Sequence, residues 1–146
     1  MMRAVTTLFL LFFSLYASPK AAETLGYYSD YHKALSSAKV QKKPLMLVIV
    51  TTYCPWCRKF ERKTLSSQLV SASVNSMFVP LIVDRNKDAG NFPQEFQISR
   101  IPTVFFIDPI NGREYWRSIG YLNKREFAEA LQDALQLYKE QRRQTD

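Results

Sequence analysis

Cysteine, histidine and glycine are all scarce in this chain: two, one and four among 146 residues. A closed structural zinc site takes four ligands, and two cysteines with the single histidine, His32, do not supply them. No flavin or nucleotide motif is visible, so no cofactor is expected from the sequence. Long apolar runs are missing too: the stretch from Ala4 to Ser18 falls short of the ~20 residues that a spanning helix needs. There is no internal repeat and no low-complexity linker. With 47% hydrophobic and 23% charged residues, the chain is neither disordered nor collagen-like, and its length suits one domain with a substantial core.

Charge is less one-sided than the formal +7 suggests, because the basic residues recur along the chain without forming a block. That distribution argues against a nucleic-acid partner and reads mostly as a solvated face. The densest run, Arg58, Lys59, Arg62 and Lys63 with Glu61 among them, lies directly after the cysteines, where it can tune their chemistry; Arg142 and Arg143 read as part of a polar tail.

The first residues differ from the rest. Arg3 is followed by an apolar stretch with no charge until Lys20, and small residues cluster at Ala17, Ser18, Ala21 and Ala22. This three-part plan is that of a secretory signal peptide, although no clean A-x-A cleavage site is present. Residues 1–22 are therefore assigned to a leader, cleaved between Ala17 and Ala22, and 23–146 to one domain. Periplasmic or secreted localisation follows, in a compartment where disulfides persist.

Past the leader, Ser29 or Asp30 caps a short helix that stops before Pro44. "LMLVIV", 45–50, is a continuous apolar run expected of a strand covered on both faces. Pro55 suits the first turn of a helix running to about residue 64, which puts Cys54 at a helix N-terminus. A further helix over "SQLVSASVNSM" leads to a strand over 78–84, where Pro80 points to an edge position or a strand start. The segment 85–99 reads as loop and short helix, 101–108 as a strand ending in the "PING" turn, and "REYWRSIG" as its alternating partner. Asn123 and Glu126 form a capping-box-like pair opening the last helix, whose stripe Phe127, Ala130, Leu131, Ala134, Leu135 and Tyr138 is core packing. This order predicts an α/β fold, a three-layer α/β/α sandwich around a central mixed sheet.

Both cysteines fall in "TTYCPWCRKF", separated by Pro55 and Trp56. A dithiol that cycles through a disulfide needs one exposed thiolate to attack and a second thiol to resolve the mixed disulfide, and C-x-x-C provides both. Helix N–H groups and the helix dipole favour a thiolate at Cys54, while Cys57 lies one turn inside. A redox pair is the first reading; an inert structural disulfide and half of a metal site are the alternatives. His32 reads as a surface residue, Trp116 and most other aromatics as packing, and Trp56 as a contact for substrate.

"LMLVIV", "CPWC", "FVPLIVD" and the later "IPT" together resemble the thioredoxin superfamily over about residues 27–138. Within it, "KPLMLVIVTTYCPWCRKFERKTLSSQLV" is most similar to secreted thioredoxin-like domains such as the C-terminal domain of the thiol:disulfide interchange protein DsbD. The resemblance implies a thioredoxin-like fold with Cys54 and Cys57 as catalytic pair and redox-active disulfide. It also implies a cis Ile101–Pro102 bond and a substrate-binding groove formed by Pro55, Trp56, Ile101 and Pro102, where the backbone of Ile101 receives an extended peptide. Two positions depart from ordinary thioredoxins: Val48 stands where they carry a buried acid, and Pro80 where they carry a lysine. Proton transfer from Cys57 then falls to water, another group or the substrate.

On this reading the protein is a periplasmic thiol:disulfide oxidoreductase, reducing protein disulfides as a monomer and fed by a membrane thiol donor of the DsbD type, with no nucleic-acid partner. The rivals are a disulfide oxidase or isomerase, a client-binding or chaperone-like module with an idle disulfide, and, from the basic charge, a domain docking on anionic lipid or nucleic acid.

Overall fold

The computed structural model describes residues 20–145. Its elements are α1 (Lys20–Leu25), α2 (Tyr31–Gln41), β1 (Leu45–Val50), α3 (Pro55–Phe60), a π-helical turn (Glu61–Leu65), α4 (Gln68–Met77), β2 (Val79–Asp84), β3 (Thr103–Ile107), β4 (Glu114–Ile119) and α5 (Lys124–Thr145). The strands form one mixed sheet in the order β2-β1-β3-β4. β1 pairs parallel with β2 and antiparallel with β3, and β3 pairs antiparallel with β4.

β1 is central, and its six residues are all buried, as a continuous apolar run with neighbours on both faces requires. Because side chains alternate, Met46, Val48 and Val50 enter one core, and Leu45, Leu47 and Ile49 the other. The first core is roofed by α1, α3, the π turn, α4 and α5, through Ala22, Phe60, Leu65, Val70, Val74, Phe127, Leu131 and Ala134. The second is covered by α2 through Tyr31, Ala34 and Ala38, together with Phe92 and Phe96.

Local chemistry accounts for the boundaries. Asp30 caps α2, its carboxylate accepting from Lys33 N–H at 2.8 Å, and the helix ends on Lys42 with a left-handed φ of 53°. β2 is an edge strand, which accommodates Pro80: its carbonyl and the N–H of Ile82 face outward to Tyr28, so the N–H that proline lacks is not needed by β1. Asn123 Oδ1 accepts from Arg125 and Glu126 N–H, while Glu126 accepts from Asn123 N–H at 2.8 Å, a reciprocal capping box for α5.

Four sequence expectations are corrected. The short helix in 85–99 does not form; the Asp84 and Asp88 side chains accept from nearby backbone N–H groups and hold turns instead, and Phe92 and Phe96 pin the segment to the sheet. The helix after the cysteines does not run regularly to residue 64, but widens into a π turn from Glu61, with Thr64 and Leu65 both buried and Thr64 Oγ1 donating to Leu122 O at 2.7 Å. Arg142 and Arg143 belong to α5 rather than to a tail. The strand expected over 101–108 is confined to Thr103–Ile107, because the chain at Ile101–Pro102 bends into it and Asp108 begins the turn. Of the assigned leader, residues 1–19 lie outside the described residues; Lys20–Ala22 open α1, and Ala22 is buried in the first core.

Candidate active site

β1 delivers the chain at Val50 to the end of the sheet where β3 begins at Thr103, since Ile49 and Thr103 are paired. The two segments flanking that end are therefore Thr51–Cys57 and Arg100–Pro102. Cys54 is the N-cap of α3: its backbone is extended, its sulfur accepts from Cys57 N–H at 3.1 Å, and Pro55 occupies the first helical position, where no N–H is required. Cys54 and Cys57 form a disulfide with Cα atoms 5.2 Å apart. Cys54 is partly exposed and Cys57 fully buried, the asymmetry wanted of an attacking and a resolving sulfur.

Every residue expected at the site lies at this end. Pro55 and Trp56 are exposed in the first turn of α3, Ile101 is partly exposed, Pro102 is buried, and the Ile101–Pro102 peptide bond is cis. His32 is on the surface of α2, away from the cysteine motif in the chain. Val48 is buried among apolar side chains. The carboxylate next along the chain from the cysteines is Glu61, one turn beyond Cys57; its partial burial raises its pKa, against a smaller lowering by Arg58.

Several neighbours had no signal in the sequence. Tyr121, just after β4, lies with its ring 5.5 Å from Trp56, and Lys59 Nζ sits 4.9 Å from the Trp56 ring and 4.7 Å from the Tyr121 ring. Gly120, at φ +87°, donates its N–H to Pro102 O at 2.7 Å. Behind the site, Asp84 accepts from Thr52 Oγ1 and from the N–H groups of Asn86 and Lys87. Burial alone would raise its pKa, but these hydrogen bonds together outweigh burial and hold it below the usual carboxylate value.

Such a mixed sheet, with a C-x-x-C disulfide at a helix start and a proline opening the neighbouring strand, defines a dithiol/disulfide α/β domain. Residues 31–135 match the family model for the thioredoxin-like domain, and the chain belongs to that family. It is 28% identical over 103 residues to the thiol:disulfide interchange protein DsbD of Pseudoalteromonas atlantica, a match covering 68% of this chain and 17% of that protein. This chain therefore corresponds to a small part of the relative's length. Its fold is similar to the solution structure of a thioredoxin from Thermus thermophilus, with TM-score 0.63 and 23% identity, covering 73% of this chain and 85% of the other. It is likewise similar to the oxidised C-terminal domain of Neisseria meningitidis DsbD, with TM-score 0.60 and 18% identity, covering 74% and 98%. The family is one of disulfide oxidoreductases. Among the described residues no helix is long and apolar enough to cross a membrane.

Proposed function

We propose that this protein is a thiol:disulfide oxidoreductase that reduces protein disulfides in the periplasm or outside the cell. The observation that carries the reading is the Cys54–Cys57 pair, one sulfur partly exposed at a helix N-terminus and the other buried one turn inside. In the reduced protein the Cys54 thiolate attacks one sulfur of a substrate disulfide, forming a mixed disulfide and releasing the other sulfur as a thiolate. Cys57, deprotonated, then attacks the Cys54 sulfur, which releases the second substrate thiolate and restores the Cys54–Cys57 disulfide. Two electrons pass from the protein to the substrate, and a dithiol donor must return them.

Each neighbouring residue has a part in this reading. The N-terminal N–H groups of α3 stabilise the Cys54 thiolate, beginning with the Cys57 N–H already directed at its sulfur. Glu61, one turn beyond Cys57, is the carboxylate assigned to take the Cys57 proton, in place of the acid that Val48 displaces; its partial burial raises its pKa and so makes it a better proton acceptor than an exposed carboxylate. Pro55, Trp56, Ile101 and Pro102 line the substrate groove. The donor is a membrane dithiol protein of the DsbD type, an assignment supported by similarity to DsbD, and the apolar leader supports export.

The reduction potential of the pair tests the direction. Equilibration against glutathione and dithiothreitol, with free thiols trapped, is expected to give a value below about −230 mV; a value above about −180 mV would make the protein an oxidase or isomerase.

A further inference from the structure

We infer that the redox face selects disulfides carried on acidic segments, through a positive rim set by Lys59 and Arg100 on either side of Gly120-Tyr121; this rests on the reductase reading and names its substrate class. Lys59 leans over the Trp56 and Tyr121 rings, its Nζ within 5 Å of both centroids, so its charge is held at the wall of the site instead of trailing into solvent. Arg100 precedes Ile101–Pro102, and its Cδ runs 3.8 Å from where a Cβ on Gly120 would lie. Gly120 is itself bonded to Pro102 O, so Arg100 borders the segment where the groove and the disulfide meet.

The carboxylates at this end are turned to other work. Asp84 is buried and accepts from Thr52, Asn86 and Lys87, Asp88 accepts from Asp84 N–H, and Glu126 accepts from Asn123 N–H. Glu61 is partly buried beside Arg58. Among the described residues the ion pair is Arg117–Glu114, on β4, and no described carboxylate forms an ion pair with Lys59 or Arg100. With Asp84 buried, Asp88 and Glu61 partly buried and the exposed Glu126 engaged at the cap of α5, the exposed Lys59 and Arg100 leave a positive rim around exposed apolar rings, Tyr53 at 89% and Trp56 at 55% exposure. A segment with aspartate or glutamate beside its cysteine matches both features, gaining charge pairs at the rim and apolar contact at Trp56. The chemistry does not change: the two electrons delivered to the substrate come from Cys54 and Cys57, previously reduced by a dithiol.

The test uses protein reduced with dithiothreitol, freed of excess reductant and mixed with three disulfide peptides that differ only in having Glu, Ser or Lys beside the cysteines. Single-turnover rates are followed by Trp56 fluorescence and by thiol release. The expected order is Glu, then Ser, then Lys, with Glu about tenfold faster than Lys at low ionic strength and the ratio falling toward one at high salt. Lys59→Glu and Arg100→Glu should each lower that ratio severalfold, and the double change should abolish or invert it. Lys139→Glu with Arg143→Glu, the same charge change on the last turns of α5, should leave most of the ratio in place. Equal rates on the three peptides, or a ratio that follows net charge wherever it is changed, would overturn the inference while leaving the reductase reading intact. Failure to reduce any of the three would overturn that reading and the inference with it.

Discussion

The two ends of the sheet are both rich in cations, and they use them differently. At the end away from the cysteines, Lys39, Lys42, Lys139, Arg142 and Arg143 surround a cleft of about 770 Å³ floored by Pro109, Ile110 and Tyr138. Lys39, Arg142 and Arg143 stand in the last turns of α2 and α5, where a cation complements the carbonyl end of a helix, so fold stability is reason enough for them. At the redox end, α3 has no free C-terminus, because the chain runs on into the π turn. Lys59 therefore answers no helix end; it lies on two exposed aromatic rings beside a disulfide. The same residue type is structural at one end and a candidate reader of substrate at the other. The difference lies in what surrounds the charge.

Breaking the redox end should produce the larger effects. Cys54→Ser is expected to abolish disulfide reduction, and Cys57→Ser to trap a mixed disulfide with substrate that is visible on non-reducing gels; undiminished client binding by Cys54→Ser, with no reduction by the unsubstituted protein, would favour a client-binding role with an idle disulfide. Next comes the packing beneath the pair. Phe60 is fully buried against Phe127 and Tyr121, and Phe60→Ala should cost about 3–5 kcal/mol in denaturant unfolding, by lost burial and the cavity left behind.

Asp84 sharpens the comparison through pH. Its folded pKa is lowered, so the stability it contributes is present above the ordinary carboxylate value and is lost as pH falls through its folded value. Asp84→Asn should thus lower stability by about 1–3 kcal/mol at neutral pH and flatten the acid limb of a stability-against-pH curve. An unchanged acid limb would show that other carboxylates dominate it. Asn123→Ala removes the cap of α5 beside the redox end and should cost about 1 kcal/mol. The smallest change is expected at the other end, where Ile110, 62% exposed, should tolerate Ile110→Ser within about 0.5 kcal/mol.

Much of the architecture was legible where one local rule acts alone. Six consecutive apolar residues with branched side chains make β1, Asp30 and Asn123 cap their helices, and Pro80 keeps β2 at an edge. The missed features arise where local and tertiary terms compete. The segment 85–99 carries residues acceptable in a helix, yet two aspartates bonding to backbone and two phenylalanines reaching the sheet hold it in turns. The π turn follows from Thr64 finding the carbonyl of Leu122, 58 positions along the chain.

The amino-acid order alone determined where the two sulfurs stand, because two cysteines separated by two residues, with proline after the first, place one sulfur at a helix start and the other a turn deeper, a matter of helix geometry. Tertiary structure decided what stands around them. Lys59, Arg100 and Tyr121 come from three separate segments, and their charge and rings act at short range, so only the folding of β3 and β4 against β1 brings them to one rim.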